Sequence, residues 1–173
     1  MRRTAILVAG LALLATACIP EPPPPPQNGQ LPDTMLTTIS PECRVVNEIS
    51  FDLGVLVWDA NAQGVHLRPE TTDYLPPGVH APRIESCYRS FEMQQWWRDW
   101  YCWIGNCGMA AVPGTSIHGW GRAVDFEDQY GELTFDSPGY QWLVANAWRY
   151  GFVHPAWAEP WSSNPEAWHW EHP

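Results

Sequence analysis

The stretch Ser116-Ile117-His118-Gly119-Trp120-Gly121-Arg122-Ala123-Val124-Asp125 decides how this chain folds. It places a histidine and an aspartate seven positions apart. Residues seven apart on a regular strand face opposite sides, so both side chains reach one point only if the backbone turns between them. Glycines at 119 and 121 permit such a turn. We therefore expect His118 where a loop leads into a strand, and Asp125 on the strand itself.

A second short stretch, Glu166-Ala167-Trp168-His169, lies near the C-terminus. Together the two stretches supply two imidazoles and one carboxylate, a donor set that zinc commonly uses in enzymes with a fourth position left for water. Glu166 is then a spare carboxylate. Residues 168–171 alternate as a short strand, with His169 and Glu171 on one face. Glu166 must precede that strand if it is to face the same metal.

The rest of the chain predicts an α+β fold, a small antiparallel sheet carrying the zinc ligands and flanked by helices. Ser90 is placed to cap a helix in which Met93, Trp96 and Trp100 fall at helical spacing. Ser137 followed by Pro138 is a strong signal for the start of another helix. Residues 83–89 alternate as a short strand, and residues 49–59 fit a helix or a strand.

The N-terminal part of the chain predicts an export signal, a tether and the start of the domain. Residues 1–17 combine two arginines, an apolar run too short to span a membrane and small residues, which is the layout of a secretory signal. Cys18 follows in a run that resembles the lipobox of bacterial lipoproteins, so we predict a lipid on Cys18, with simple secretion as the alternative. Residues 18–40 are rich in proline and predict an extended tether. Residues 41–173 form the predicted domain.

The composition limits the partners. The net charge is −10, and all nine basic residues are arginines. Such a surface repels nucleic acid and anionic lipid, so we expect contact with a membrane only through Cys18. We predict a monomer in the cell envelope, anchored to the outer face of the membrane or otherwise secreted. Most of the twelve tryptophans are expected in the core.

The other four cysteines indicate disulfides, because an even number in an exported chain is typical of oxidised pairs. Three pairings are possible. Cys102 and Cys107 enclose a loop short enough to be closed by a disulfide. A Cys43–Cys87 disulfide would then connect the N-terminal segment to the core. The rival interpretation is a zinc site of four thiolates, which the spacing disfavours because paired C-x-x-C units are absent.

Three motifs in this order resemble the VanY-like family of zinc D-alanyl-D-alanine carboxypeptidases, over roughly residues 83–173. The family's S-x-H-x-x-G-x-A-x-D element is matched from Ser116 to Asp125, and its E-x-W-H element from Glu166 to His169. Its S-G-Y-R-S-x-x-x-Q element is matched from Ser86 to Gln94, with Cys87 in place of glycine. That replacement is interpreted as accommodating a disulfide.

The resemblance implies a role for each matched residue. His118, Asp125 and His169 would hold zinc, and Glu166 would be the general base. Arg89 would stabilise the oxyanion or anchor a substrate carbonyl. Four further residues are candidate substrate contacts: Ser116, Tyr88, Ser90 and Gln94. His154 is the one other histidine singled out, because it precedes the loop of Glu166.

We therefore expect a zinc D,D-carboxypeptidase that acts on the stem peptides of peptidoglycan. The first alternative is an endopeptidase on the same scaffold, which cuts within or between stem peptides. The second is a cell-wall-binding module that hydrolyses nothing, and Glu166 argues against it because binding alone needs no base.

Overall fold

The structure is a computed structural model that describes residues 24–173. The predicted signal at residues 1–17 and the predicted lipid site at Cys18 lie outside the described residues. The longest described helices have 13 residues, and none is long and apolar enough to cross a membrane.

The described strands form two antiparallel sheets, which confirms the predicted α+β class. A hairpin consists of β1 (Leu36–Ser40) and β2 (Cys43–Val46). The larger sheet consists of β3 (Arg68–Pro69), β4 (Ala123–Asp128), β5 (Gly131–Glu132) and β6 (His169–Glu171). Strand β4 pairs with the other three, and all its residues are buried. The sheet is therefore organised around the strand that holds Asp125.

Three helices surround the sheets: α1 (Ser50–Ala62), α2 (Phe91–Trp103) and α3 (Pro138–Asn146). In α1, the buried residues Leu53, Leu56 and Ala60 are three and four positions apart, which is the helical repeat and settles the earlier ambiguity. Leu53 and Leu56 pack in one cluster with Phe126 of β4 and Leu143 of α3. The core thus lies between α1, α3 and the larger sheet.

Both predicted helix starts are confirmed. The Ser90 hydroxyl accepts a hydrogen bond from the Met93 amide at 3.3 Å, at the start of α2. The Ser137 hydroxyl accepts one from the Tyr140 amide at 3.4 Å, with Pro138 at the first helical position of α3. These caps satisfy amides that have no partner inside the helix.

Residues 83–89 do not form the predicted strand. The Ser86 amide donates to the Glu42 carbonyl at 3.1 Å, and the Tyr88 amide donates to the Arg44 carbonyl at 2.6 Å. The Ser86 carbonyl accepts from the Asp125 amide at 2.8 Å. The segment is therefore irregular because it bridges the β1–β2 hairpin and β4 instead of pairing with one neighbour.

The prediction that most tryptophans lie in the core is wrong. Only Trp142 and Trp170 are buried, and all twelve tryptophans lie in the described part of the chain. On α2 the buried residues are Met93 and Gln94, while Trp96 and Trp100 stack on each other with centroids 6.4 Å apart. The tryptophans of this helix pack mainly against one another because the helix presents a different face to the core.

The predicted tether at residues 18–40 is correct at most for its first part. Residues 24–27 are exposed, but Asn28 and Leu31 are buried, and Leu36–Ser40 is strand β1. The packed unit therefore begins about thirteen residues before the predicted boundary at 41. The proline run ends at Pro26, and the prediction of extended chain was extrapolated past that point.

The structure contains both of the disulfides given as the preferred pairing. The Cys43–Cys87 bond joins β2 to the segment before α2, and its two cysteines are 44 positions apart in the chain. Cys102 and Cys107 close a loop only 5 positions long. Cross-links that close longer loops restrict the unfolded chain more.

We predict that removing the first disulfide costs more stability than removing the second. The loop-entropy relation gives about 4 kcal/mol for a loop of 44 residues and about 2 kcal/mol for one of 5. Chemical denaturation of C43S/C87S and of C102S/C107S, each compared with the parent chain, measures the two losses. Equal losses, or a larger loss for C102S/C107S, would contradict this ranking.

Candidate metal centre

Three elements bring His118, Asp125 and His169 together. His118 lies in a 3-10 turn, Ile117–Trp120, and Gly121 at φ 64° turns the chain into β4. Asp125 is on β4 directly opposite His169 of β6. Opposite residues in an antiparallel pair place their side chains on the same face. The predicted placement of His118 before the strand and Asp125 on it is therefore confirmed.

The donor atoms of these three buried residues meet at one point. His118 Nε2 lies 3.1 Å from His169 Nδ1 and 3.2 Å from Asp125 Oδ1. His169 Nδ1 lies 3.0 Å from the same Asp125 oxygen. Within residues 24–173 this is the one group of three or more histidine, cysteine or acidic side chains with metal-ligand geometry. Two imidazole nitrogens and a carboxylate oxygen suit a divalent transition metal.

The remaining polar atoms of the three residues fix which atom faces the centre. His118 Nδ1 lies 2.7 Å from the Cys87 carbonyl oxygen, which can only accept, so this nitrogen carries the proton and Nε2 is free. His169 Nε2 lies 3.1 Å from a Glu171 carboxylate oxygen, which leaves Nδ1 free. Asp125 Oδ2 accepts from Arg89 Nη2 at 2.8 Å. Such outer contacts are what orient metal ligands in proteins.

In the metal-free protein the pKa values of the two imidazoles are shifted in opposite directions. Burial and the nearby Arg89 guanidinium lower the pKa of His118 to about 4. Burial also acts to lower the pKa of His169, but hydrogen bonds to Asp125 and Glu171 outweigh it and raise that pKa to about 9. In the metal-free protein one neutral and one protonated ring therefore share the Asp125 carboxylate, and a metal that binds here must displace the proton from His169 Nδ1. The donor set and its outer contacts fit a metal cation.

A cavity of about 350 Å³ opens beside the three residues. Glu166 lines it and precedes β6, as predicted from the sequence. Burial raises the pKa of Glu166 to about 7, and the Asn164 side-chain amide donates to its Oε1 at 2.8 Å. A carboxyl group that titrates near neutrality, next to a metal site, can both take and return a proton.

The backbone of Glu166 is held by two groups that sequence reasoning did not assign. Its amide donates to the Ala158 carbonyl at 2.9 Å, and its carbonyl lies 2.9 Å from His154 Nε2. The His154 side chain is 5% exposed, and its other nitrogen lies 3.3 Å from a Glu159 carboxylate oxygen. His154 was noted for its position before this loop, and the structure shows that it fixes the loop's end. No sequence motif indicated that Asn164 would bond to Glu166 or that Glu171 would bond to His169.

Arg89 occupies the far side of Asp125 and also lines the cavity. Its guanidinium donates to Asp125 Oδ2 and lies 5.9 Å from the centroid of the Trp97 ring. Its Nε is buried without a hydrogen-bond partner in the structure. Arg89 is therefore fixed by a ligand residue and retains a donor that the protein does not use.

Of the four candidate substrate contacts, Ser116 and Gln94 line the cavity, but Tyr88 and Ser90 do not. The Tyr88 hydroxyl accepts from the Leu31 amide at 3.1 Å, on the side of the N-terminal segment. Ser90 is occupied as the cap of α2 and also accepts from Arg83. The structure therefore places Tyr88 and Ser90 away from the cavity lining, because folding uses both hydroxyls elsewhere.

Two glutamates on the same side of the sheet as Asp125, Glu70 and Glu132, form no salt bridge with any residue that the structure describes. Glu70 follows β3, its amide donates to the Asp125 carbonyl at 2.9 Å, and its Oε1 is buried without a hydrogen-bond partner. Glu132 lies on β5 opposite Glu127, which is neutralised by Arg68 at 2.7 Å. Burial raises the pKa of Glu70, and burial with repulsion from Asp125 raises the pKa of Glu132 to about 7.

Comparison with known proteins gives a family match over most of this region. The family model described as "VanY: D-alanyl-D-alanine carboxypeptidase" matches residues 78–172. The solved structure of VanYB in complex with D-alanine-D-alanine is 28% identical, with a TM-score of 0.58, and the match covers 79% of this chain and 76% of that one. A mutant of the vancomycin resistance D,D-pentapeptidase VanY in complex with Zn(II) is also 28% identical, with a TM-score of 0.58, covering 79% and 77%.

The L,D-carboxypeptidase LdcB shares the fold at 20% identity and a TM-score of 0.61, covering 83% of this chain and 70% of that one. No curated protein matches the chain. The residues that the family model matches include all three residues of the candidate metal centre.

We predict that the protein binds one divalent ion per chain and that H169A weakens this binding by at least tenfold, because it removes one of three donors. Titration of metal-free protein with Zn²⁺ in competition with a chromogenic chelator measures the affinity. H80A is the matched control, since the His80 side chain is 82% exposed. Equal affinities for H169A and H80A would contradict the assignment of His169.

A second prediction concerns pH and the metal-free protein. The pKa of Glu132 is higher in the folded chain than its ordinary 4.5, so the stability it contributes is present at low pH and is lost as pH rises from about 4.5 through 7. E132Q should therefore gain stability over the parent chain at pH 8 and lose that gain by pH 4. Urea denaturation across this range, with E92Q as control, measures the difference. A gain that is the same at both pH values would contradict the argument.

Proposed function

The chain belongs to the VanY family of D-alanyl-D-alanine carboxypeptidases, and we propose that it is a zinc-dependent D,D-carboxypeptidase that removes the terminal D-alanine from peptidoglycan stem peptides. The observation that carries the proposal is the convergence of His118, Asp125 and His169 at a cavity that Glu166 also lines. A module that only binds cell wall needs neither an open metal site nor a carboxylate with a raised pKa beside it.

The choice of zinc rests on the donor set. Two histidines and a carboxylate with a free fourth position are typical of catalytic zinc, whereas calcium and magnesium prefer sites made of oxygen ligands alone. A VanY protein 28% identical to this chain was solved in complex with Zn(II). We therefore propose His118 Nε2, one Asp125 oxygen and His169 Nδ1 as the ligands.

The choice of substrate rests on the relatives and on the size of the cavity. VanYB, 28% identical, was solved in complex with D-alanine-D-alanine. The cavity of about 350 Å³ suits a short peptide end, since small-molecule sites commonly enclose about 300–1,000 Å³. We propose that the two terminal residues of a stem peptide enter this cavity.

A zinc ion at this site would supply Lewis acidity, which activates a water molecule and polarises the carbonyl oxygen of the bond to be cut. Glu166 acts on the protons. Its carboxylate accepts a proton from the attacking water and then gives it to the nitrogen of the departing D-alanine. The contacts from Asn164 and from the His154 ring hold this carboxyl group and its backbone in place.

Arg89 and Ser116 are the proposed substrate contacts. Arg89 has an unused buried donor and lines the cavity, so it can donate to the oxygen that becomes negative during the reaction. Ser116 lines the same cavity two positions before His118 and is proposed to bind the terminal carboxylate. Gln94 also lines the cavity, but its amide atoms are bonded within the protein.

We propose that the enzyme works outside the cytoplasm, where peptidoglycan lies, either through a lipid on Cys18 or as a secreted protein. Two disulfides among the described residues support an oxidising compartment. The net charge of −10 argues against nucleic acid as a partner.

We predict that the purified protein removes one alanine from an acylated peptide ending in D-Ala-D-Ala and leaves the D-Ala-L-Ala peptide and the C-terminal amide intact. Mass spectrometry identifies the products. E166Q should bind Zn²⁺ like the parent chain and lose about 10²- to 10⁴-fold in kcat, because it retains shape but cannot move the proton.

E48Q is the matched control, since Glu48 has a 63% exposed side chain and pairs only loosely with Arg122 at 3.8 Å. Cleavage within a cross-linked peptide, with no release of terminal alanine, would replace the proposal by the endopeptidase. A zinc-loaded protein that cleaves none of these peptides would overturn it.

A further inference from the structure

The segment Gln27–Leu31, called here the N-terminal hook, makes a tight turn against the loop that carries His118. The Gln30 amide donates to the Gln27 carbonyl at 2.9 Å, and Gly29 has φ 76°. Asn28 and Leu31 are each 8% exposed, which is unusual for residues that follow directly on a proline run. The hook lies outside residues 78–172, the part that the family model matches. It is therefore a feature of this chain that the family motif does not describe.

The hook bonds to the backbone on both sides of His118. The Asn28 side-chain amide donates to the Ser116 carbonyl at 2.7 Å. The Gly29 amide donates to the Gly119 carbonyl at 2.8 Å. The loop between these two carbonyls contains His118, so the hook restrains the backbone from which this imidazole projects.

A buried pair of amides extends the restraint to Arg89. Gln94 Nε2 donates to Asn28 Oδ1 at 3.0 Å and to the Arg89 carbonyl at 3.1 Å, while Gln94 Oε1 accepts from the Gly114 amide at 2.8 Å. Gln94 is 3% exposed. Buried networks in which each member is satisfied hold their members in a single arrangement. Asn28 and Gln94 thus join the two segments that supply His118 and Arg89.

The fit at the hook is close enough to explain the glycine at position 119, which the family motif does not specify. A Cβ on Gly119 would lie 1.9 Å from Asn28 Oδ1, and a Cβ on Gly29 would lie 2.6 Å from the Phe91 amide nitrogen. Gly119 was expected to serve the turn before β4, but Gly121 is the residue with positive φ. Gly119 is needed instead because the hook approaches the loop there.

We propose that Asn28 is a positioning residue for the metal centre, which holds the 116–119 loop so that His118 Nε2 faces Asp125 and His169. The inference rests on the proposed function only in that these three residues bind a metal. Some residues orient a metal ligand without touching the metal. Replacing such a residue typically weakens metal affinity by about 10- to 100-fold. The hook does this through the backbone of the loop, and the segment outside the family match is part of the site's scaffold.

The test is the Zn²⁺ affinity of N28A, measured on metal-free protein by chelator competition. We expect a loss of about tenfold or more. N28D keeps the acceptor for Gln94 but loses the donor to Ser116, so its affinity should fall between those of N28A and the parent chain. Q30A is the matched control in the same turn, because Gln30 is exposed, and it should bind like the parent chain.

A general loss of stability is separated from positioning by L53A, which removes a fully buried side chain of α1. L53A should be destabilised to urea and should bind Zn²⁺ as tightly as the parent chain. Unchanged affinity in N28A, or an equal loss in L53A, would overturn the inference. If N28A does not fold, N28D is judged by the same criterion. A parent chain that binds Zn²⁺ but hydrolyses no peptide would contradict the proposed function and leave this inference standing.

Discussion

The pairing of Asp125 with His169 across β4 and β6 is the constraint on which the rest of the structure depends. These residues are 44 positions apart, and only the antiparallel register places their side chains on one face. The Asp125 backbone serves two further segments, since its amide donates to Ser86 and its carbonyl accepts from Glu70. A shift of β4 by one residue would turn Asp125 away from the metal centre and place its apolar neighbours Val124 and Phe126 there instead. Packing of the core and assembly of the metal centre therefore require the same register between β4 and β6.

The electrostatics of the centre follow from this arrangement. One carboxylate faces two imidazoles on one oxygen and a guanidinium on the other. Each imidazole has its second nitrogen engaged, by the Cys87 carbonyl in one case and the Glu171 carboxylate in the other. The two inner nitrogens and one carboxylate oxygen thus converge on one point, which is an arrangement a metal cation stabilises. The carboxyl groups of Glu70, Glu132 and Glu166 surround this point and titrate at raised pKa because burial disfavours their charge.

The sequence was sufficient to predict which residues meet at the candidate site and insufficient to predict those that hold them in place. His118, Asp125, His169 and Glu166 lie in two motifs whose residue types and order indicate metal chemistry directly. The caps at Ser90 and Ser137 are local signals and were predicted for the same reason. Asn28 contacts Ser116 across 88 positions, and no local pattern encodes such a contact.

Two other differences between the sequence analysis and the structure also arise because contacts between distant parts of the chain leave no local pattern. Tyr88 and Ser90 belong to a family motif, but their hydroxyls satisfy a distant amide and a helix start, which only the packing reveals. The tryptophans of α2 were expected in the core because of their apolar area. The core was already filled by residues of α1, α3 and β4, and spacing alone does not tell which face of a helix is covered.

Cys87 holds two bonds of different kinds that meet at one residue. Its sulfur is joined to Cys43, and its carbonyl oxygen accepts a hydrogen bond from His118 Nδ1. A newly made chain whose thiols are still reduced lacks the covalent tie that keeps this carbonyl next to the imidazole. Reduction of the Cys43–Cys87 bond would therefore leave the His118 imidazole less firmly oriented than it is in the oxidised protein.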